Sequence, residues 1–269
     1  VDKVIICNNS VSELKIELDL DEKQKEKIEI INFYENLGIA KAQNIGMEKA
    51  FKEGADFVLQ MDQDSIFEEG SVKKLIDSFY ILRAQNINVG IIGGSTLNIN
   101  DYGKDEKNII KIRKRDKVVN VNQEICKKVK AIISSGSLIP RDVYDKVGAL
   151  MEELFIDFVD TEYCWRVKKF GYEIIQNFGV KMYHQTGSGY VEYKRKKYLI
   201  SAPIRNYYQM RNELYLLKLP YVPFSWKKNI IKNIYRKIYL FPKIMDNGKK
   251  RKEYALKAIK DYFLGNMGI

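Results

Sequence analysis

Short apolar runs alternate with stretches of helical spacing along the first 190 residues of this chain. Val4-Ile5-Ile6-Cys7 predicts a buried strand, closed by the turn-forming Asn8-Asn9-Ser10. Residues 11–27 are charged and weakly periodic, which fits helix or loop. A second strand is expected over residues 28–33, ending before Asn36-Leu37-Gly38. Ile39, Ala42, Ile45, Gly46 and Ala50 then fall at helical spacing, with Gly54 as the stop. Residues 56–61 predict a third strand, and Ser71 is the expected cap of a helix presenting Val72, Leu75, Ile76 and Phe79 on one face. Residues 89–92 and 130–134 also fit strands, and the polar residues 98–128 fit an excursion over one end of the sheet. A short helix follows Pro140, and a longer one over residues 160–170 is stopped by Gly171. Residues 173–176 and 180–184 fit two short strands or one bent strand. Strands alternating with helices in this way predict an α/β sheet covered on both faces.

Beyond residue 200 the pattern changes to helices rich in Tyr, Phe, Lys and Arg, with breaks at Pro220 to Pro223 and at Asn247-Gly248. The expected division is a sheet-bearing body over residues 1–200 and a basic, aromatic helical region over residues 201–269. Charge sharpens this division. The chain carries +11 overall, yet residues 191–269 hold 19 Lys/Arg against 5 Asp/Glu, so the rest sums to −3. A basic region on a near-neutral body predicts contact with an anionic surface, and the aromatic residues favour a membrane surface. A helical extension packed on the body, or a homodimer interface, is the alternative. The 45% hydrophobic content argues against disorder. No apolar run approaches the ~20 residues that would span a bilayer. Cys7, Cys126 and Cys164 lie far apart without a C-x-x-C pair, so neither a zinc site nor a disulfide framework is expected. A reducing, cytoplasmic setting fits that usage. The chain opens at Val1 directly into an apolar run, which predicts a start inside a domain, with a first strand missing upstream.

Candidate chemistry collects at the predicted strand ends. The strand over residues 56–61 runs into Asp62-Gln63-Asp64-Ser65. Two carboxylates so close repel unless a proton or cation sits between them, and hard oxygen ligands suit Mg²⁺ or Mn²⁺. A plain acidic turn is the alternative. Asn36-x-Gly38, with Asn44 and Gly46 beyond it, is either a tight turn with close helix packing or a place where phosphate approaches a helix N-terminus. Ser134-Ser135-Gly136-Ser137 is either a turn or a loop that leaves room for a sugar ring. Asp157, Asp160 and Glu162 lie within six residues; Asp160 fits a helix N-cap or a general base, and spacing does not order the three. His184, the chain's one histidine, fits a structural role or a metal ligand before the glycine-rich residues 185–189. Arg205, Tyr208, Arg211 and Asn212 share a helical face, and two guanidinium groups there suit a diphosphate as well as a solvated surface.

Taken together, these residues resemble family 2 glycosyltransferases of the GT-A fold, most closely the bacterial rhamnosyltransferase-like branch, over residues 4–212. Ile5-Ile6-Cys7-Asn8-Asn9-Ser10 is similar to the family's nucleotide loop, with Cys7 in place of its aspartate and Asn9 in place of its glycine. Asn36-x-Gly38 with Asn44-x-Gly46 matches the next donor-binding segment, and Asp62-Gln63-Asp64 the metal-binding motif. Asp157-x-x-Asp160-x-Glu162 with Trp165-Arg166 lines up with the acceptor-side acidic motif, His184 with a histidine that often follows, and Arg205-x-x-Tyr208-x-x-Arg211-Asn212 with the branch's post-catalytic helix.

The resemblance implies a Rossmann-like mixed sheet and inverting, metal-dependent transfer of a sugar, rhamnose first, from a nucleoside diphosphate donor such as dTDP-rhamnose or a UDP-sugar. Galactofuranose, galactose or N-acetylglucosamine are the alternative sugars. The implied acceptor is a cell-envelope glycan, including one linked to polyprenyl diphosphate at the inner face of the membrane. It further implies Asp160 as base with Asp157 and Glu162 beside it, and Asp64, Asp62 and His184 around Mg²⁺ or Mn²⁺. Donor contacts would come from Asn8, Ser10, Asn36, Gly38, Asn44, Asp62, Gly136, Arg205 and Arg211. A non-catalytic basic module binding lipid or nucleic acid is the rival reading; it requires no paired acids, so nucleic acid is not an expected partner.

Overall fold

A computed structural model describes residues 1–15, 19–102, 118–121, 124–185 and 189–268. The chain runs β1 (Val4–Asn8), α1 (Glu22–Lys25), β2 (Ile28–Asn32), α2 (Ile39–Lys52), β3 (Phe57–Gln60), β4 (Ser65–Phe67), α3 (Ser71–Ala84) and β5 (Val89–Asn98). Then come β6 (Val118–Val121), β7 (Glu124–Val129), β8 (Ser137–Pro140), α4 (Arg141–Val147), α5 (Val159–Lys169) and β9 (Glu173–His184). A hairpin, β10 (Tyr190–Tyr193) and β11 (Lys196–Leu199), precedes α6 (Arg205–Leu216), α7 (Phe224–Lys227), α8 (Ile230–Tyr235), a π-helical turn (Arg236–Leu240), α9 (Phe241–Ile244) and α10 (Gly248–Leu264).

Among the described residues the main sheet has seven strands in the order β3-β8-β5-β9-β7-β6, with β4 added along β9. It is mixed: β5 and β9 run parallel, while β8 is antiparallel to both β3 and β5. β1 and β2 form a separate parallel pair, joined to the body through α2. α2 buries Ala40, Met47 and Phe51 at spacings of four and seven, the stripe its sequence predicts. α3 does the same with Leu75, Phe79 and Leu82, against the opposite side of the sheet core from α2 and α5. β5 is buried on both faces along its first half, as befits a strand with helices above and below it.

Several expected boundaries move. Ser71 is the first residue of α3 and not its cap; Gly70 takes the cap position in the left-handed region, and no side chain bonds there. Residues 130–134 are not a strand. Of these, residues 131–133 line a cavity, and the Ile132 carbonyl accepts from the Cys164 Sγ at 3.7 Å instead of from a strand. The predicted excursion over residues 98–128 contains strands β6 and β7 at the sheet edge, and its residues 103–117 and 122–123 lie outside the described residues. β9 is one bent strand. A register shift opposes Gly94 to Asn177 but Ser95 to Lys181, so residues 178–180 bulge out. Asn177, fully buried, holds that bulge by accepting from the Gly179 N–H at 2.7 Å and donating to Ser78 Oγ at 2.9 Å.

The bulge has a consequence for the far end of the strand. Past it, β9 pairs with β4 in a register that sets His184 directly opposite Ser65. A histidine and an acidic turn separated by 119 positions thus meet at one end of the sheet. The helices after residue 200 share cores with the body: Leu216 and Val222 belong to the cluster of α2, α4 and α5, and α6 packs on α10 through Tyr207, Met210, Ala255 and Ala258.

Candidate functional site

Asp62 and Asp64 leave β3 at its C-terminal end, where open α/β sheets bind ligands. One ligand atom from each of Asp62, Asp64 and His184 can be chosen so that all lie within 4.8 Å of one another. Asp64 Oδ1 is 3.2 Å from His184 Nδ1, and the Asp64 side chain is 43% exposed, which leaves room for further ligands. Burial, and secondarily the Asp64 and Asp160 carboxylates, pushes the Asp62 carboxyl above its ordinary range, partly offset by His184. Two carboxylates and an imidazole, partly open to solvent, fit a divalent cation of the Mg²⁺ or Mn²⁺ kind.

Behind this triad runs a chain of serine hydroxyls. The Asp62 N–H donates to Ser135 Oγ at 3.1 Å, Ser135 Oγ–H to Ser65 Oγ at 2.7 Å, and Ser65 Oγ lies 2.9 Å from His184 Nδ1. Such backing fixes the imidazole ring. Replacing Ser135 by alanine is expected to weaken Mn²⁺ affinity about tenfold with the fold intact, as read by titration calorimetry. Unchanged affinity would remove Ser135 from the support of the triad.

Ser135 also opens onto a cavity of about 260 Å³ lined by Gly93, Gly94, Thr96, Ile132, Gly136 and Asp160 among others. The two strand glycines allow close packing at its wall. A Cβ at Gly93 would lie 2.8 Å from Ile132, and one at Gly94 would lie 2.8 Å from the Val180 carbonyl oxygen. Gly136, at φ +77°, donates its N–H to the Gln60 carbonyl and turns the chain into β8. Sequence reasoning missed Gly93, Gly94 and Thr96. The signal was present, since a glycine pair inside an apolar strand marks close approach by backbone or ligand.

The three clustered acids part company in space. Glu162 is fully buried and bidentate to Arg166 at 2.8 and 3.0 Å, and it also accepts from the Tyr221 hydroxyl. Asp157 is bidentate to Arg205 at 2.5 and 2.6 Å. Asp160 lines the cavity and accepts from the Thr161 N–H at 2.6 Å and the Thr161 hydroxyl at 3.1 Å, with no salt bridge among the described residues. Burial drives its carboxyl above the ordinary range, against the pull of the Thr161 and Ser134 hydrogen bonds. It is not the helix cap: Phe158, in the left-handed region, takes that place. Phe155, Asp157 and Phe158 all have positive φ, a concentration of backbone strain immediately before Asp160.

The expected donor contacts divide. At the ends of β1 and β2, Ser10 donates to Asn8 Oδ1 and Asn8 to Asn32 Oδ1 at 2.7 Å, while Asn36 accepts from Asn9 Nδ2 at 3.1 Å and from the Gly38 N–H at 3.0 Å. Cys7, in the place of an acid, packs its thiol against Gly46, where a Cβ would lie 2.9 Å from the sulfur. Asn44 is buried and gives both ends of its amide to the Leu150 backbone and one to Glu152, so it anchors the segment leading to the acids. Gly38 sits beneath the Phe155 ring, with no space for a Cβ. The first N–H groups of α2 donate to the Phe155 carbonyl, which leaves them committed instead of free for phosphate. Arg205 is 38% exposed beside Asp157. Arg211 is fully buried, and its guanidinium donates to the Gly268, Glu153 and Leu154 carbonyls, so it does not face the cavity. Of the loop after His184, residues 186–188 lie outside the described residues.

A mixed α/β sheet with an Asp-Asp-His group that could hold a cation at the strand ends, beside a small polar cavity, defines a class of ligand-binding fold. The profile of Glycosyl transferase family 2 matches residues 2–148, and the chain belongs to that family, with the GT-A arrangement of sheet and helices. It is 36% identical over 202 residues to the dTDP-rhamnosyl transferase RfbF of Shigella flexneri, an alignment covering 74% of this chain and 66% of that relative. Among solved structures it is similar to GalNAc-T7 with UDP, GalNAc and Mn²⁺, at TM-score 0.49 and 12% identity, covering 86% of this chain and 48% of the other.

Proposed function

We propose that this chain transfers a glycosyl group, rhamnose in the first instance, from a nucleoside diphosphate donor to an acceptor hydroxyl with inversion at the anomeric carbon. One observation carries the reading. Asp160, the acid of its cluster without a basic partner among the described residues, lines the same cavity as Ser135, which is hydrogen-bonded to the Asp62-Asp64-His184 triad. A base lining a cavity, with a candidate cation site tied to the wall of that cavity through Ser135, is what inverting displacement of a diphosphate needs. The similarity to a dTDP-rhamnosyl transferase supports dTDP-rhamnose as donor.

Asp64, Asp62 and His184 would hold Mg²⁺ or Mn²⁺, which supplies charge neutralisation for the leaving diphosphate. Asp160 takes the acceptor proton as the hydroxyl attacks. Ser10 and Asn36 at the ends of β1 and β2 are the donor contacts retained from the sequence, and Arg205 is the cation free to approach phosphate if it exchanges Asp157 for it. The acceptor is a cell-envelope glycan, and the enzyme works in the cytoplasm. Galactofuranose, galactose and N-acetylglucosamine donors are the competing sugars.

A thermal-shift screen of nucleotide sugars tests the proposal directly. At about a hundredfold excess over Kd, dTDP-rhamnose with Mn²⁺ should raise the melting temperature by roughly 5–10 °C. Chelation, or Asp64→Asn, should remove that increment. A UDP-sugar giving the largest shift would redirect the donor, and no shift with any nucleotide sugar would sink the proposal.

A further inference from the structure

Residues 214–245 contain seven Lys/Arg and no Asp/Glu, so every charged side chain this stretch exposes is cationic. Within this stretch Ile231 is 78% exposed, Tyr235 59% and Tyr239 53%. Ile231 and Tyr235 are one helical turn apart on α8, and the Tyr235 and Tyr239 rings stand 5.5 Å apart. They form a continuous apolar and aromatic stripe. Lys228 and Lys232 beside it are exposed.

A second basic element is docked on the same helical region. The β10–β11 hairpin turns on Lys194 and Arg195, both at positive φ, and residues 194–197 present four consecutive exposed basic side chains. The hairpin is docked on the helices through Tyr198, whose ring is 5.9 Å from that of Phe241 and lies under the Arg236 guanidinium. Two elements of different origin in the chain thus contribute exposed cationic side chains to one helical region that also carries an exposed apolar stripe.

We infer that this face, the 194–197 hairpin tip together with the Ile231-Tyr235-Tyr239 stripe, seats the protein on an anionic membrane surface. The charge pattern chooses the partner. A second copy of the chain would bring like charges together across the interface, whereas anionic headgroups complement every basic group on the face. An exposed isoleucine between tyrosines suits the boundary between headgroups and acyl chains, where the apolar stripe is buried and the phenol hydroxyls stay wet. Among the described residues no helix is long and apolar enough to cross a membrane, so the contact is one of lying on the surface. The hairpin begins six residues after His184, and α6 after it brings Arg205 to Asp157, so the chain links this face to the triad on one side and to the acid cluster on the other. This surface stands independently of the transfer chemistry.

Vesicle sedimentation of the whole chain tests it, with phosphatidylcholine alone and with about a quarter phosphatidylglycerol. The protein should sediment with the anionic vesicles and stay in solution with the neutral ones. Combined Lys194→Gln, Arg195→Gln, Lys196→Gln and Lys197→Gln should lower partitioning at least about tenfold and flatten its dependence on salt. Combined Ile231→Ser and Tyr235→Ser should lower it about tenfold with the salt dependence kept. All six side chains are exposed, and unchanged melting curves would show that both variants fold. Equal binding to neutral vesicles, or undiminished binding by both variants, would overturn the inference. So would a wild type that ignores vesicles and forms dimers which Ile231→Ser dissolves.

Discussion

Asp160→Asn is expected to lower turnover about a thousandfold while donor binding persists. The carboxyl lines the cavity, has no basic partner among the described residues, and is held above the ordinary aspartate range by burial. A raised pKa is an advantage to a base, which must compete for the acceptor proton. Its activity should therefore rise with pH through a point above about 3.9, the ordinary aspartate value. The same shift has a sign for stability. The folded protein binds this proton more tightly than the unfolded chain, so the contribution is full below the unfolded pKa and is lost as pH rises through the folded one. At neutral pH the ionised, desolvated carboxylate is a net cost. Asparagine keeps an oxygen to accept from Thr161 and removes the charge, so the variant should melt higher than wild type at pH 7 and lose that advantage in acid. Nucleotide release gives the rate, and scanning calorimetry at two pH values gives the stability. Turnover within a few-fold of wild type would dismiss Asp160 as base.

The acid motif illustrates what a linear reading can and cannot carry. The elements were legible because their signals are local: the stripe of α2, the Gly54 and Gly171 stops, the acidic turn after an apolar run. Asp157, Asp160 and Glu162 could not be ranked from spacing, because the partners that separate them come from elsewhere. Arg205 and Tyr221 lie 48 and 59 positions away from the acids they bind. Arg166, four residues on, was in plain view as an i,i+4 partner for Glu162 and could have removed that acid from consideration. The meeting of His184 with Asp64 depends on a bulge whose anchor, Asn177, looks like any polar residue in a strand. The cavity was hidden for a related reason: its wall over residues 131–133 has the apolar composition of a strand and none of the pairing.

Arg211 is the case in which a good linear pattern pointed to the wrong surroundings, and it gives the largest stability effect expected outside the cores. Its spacing from Arg205 suits a diphosphate clamp, yet α6 turns the two side chains to different fates. Arg205 remains at the surface beside Asp157, and Arg211 is driven between α6, the residues before Phe155 and the C-terminal Gly268. Its charge is held by three backbone carbonyls and by the faces of Tyr207 and Tyr208, at 5.3 and 5.2 Å. Asn212 beside it donates to the Leu154, Ile156 and Asp157 carbonyls, so the two residues together fix the strained segment that carries the acids. Arg211→Met fills much of the volume but strands those carbonyls in a dry site. The expected loss is about 3–5 kcal/mol, or roughly 10 °C in melting temperature for a chain of this size. Arg211→Lys should recover part of it, since an ammonium can reach some of the carbonyls but cannot span them all. The donor KM, measured at a temperature where the variants remain folded, should stay within a few-fold of wild type. A tenfold rise in donor KM without a fall in melting temperature would return Arg211 to the diphosphate.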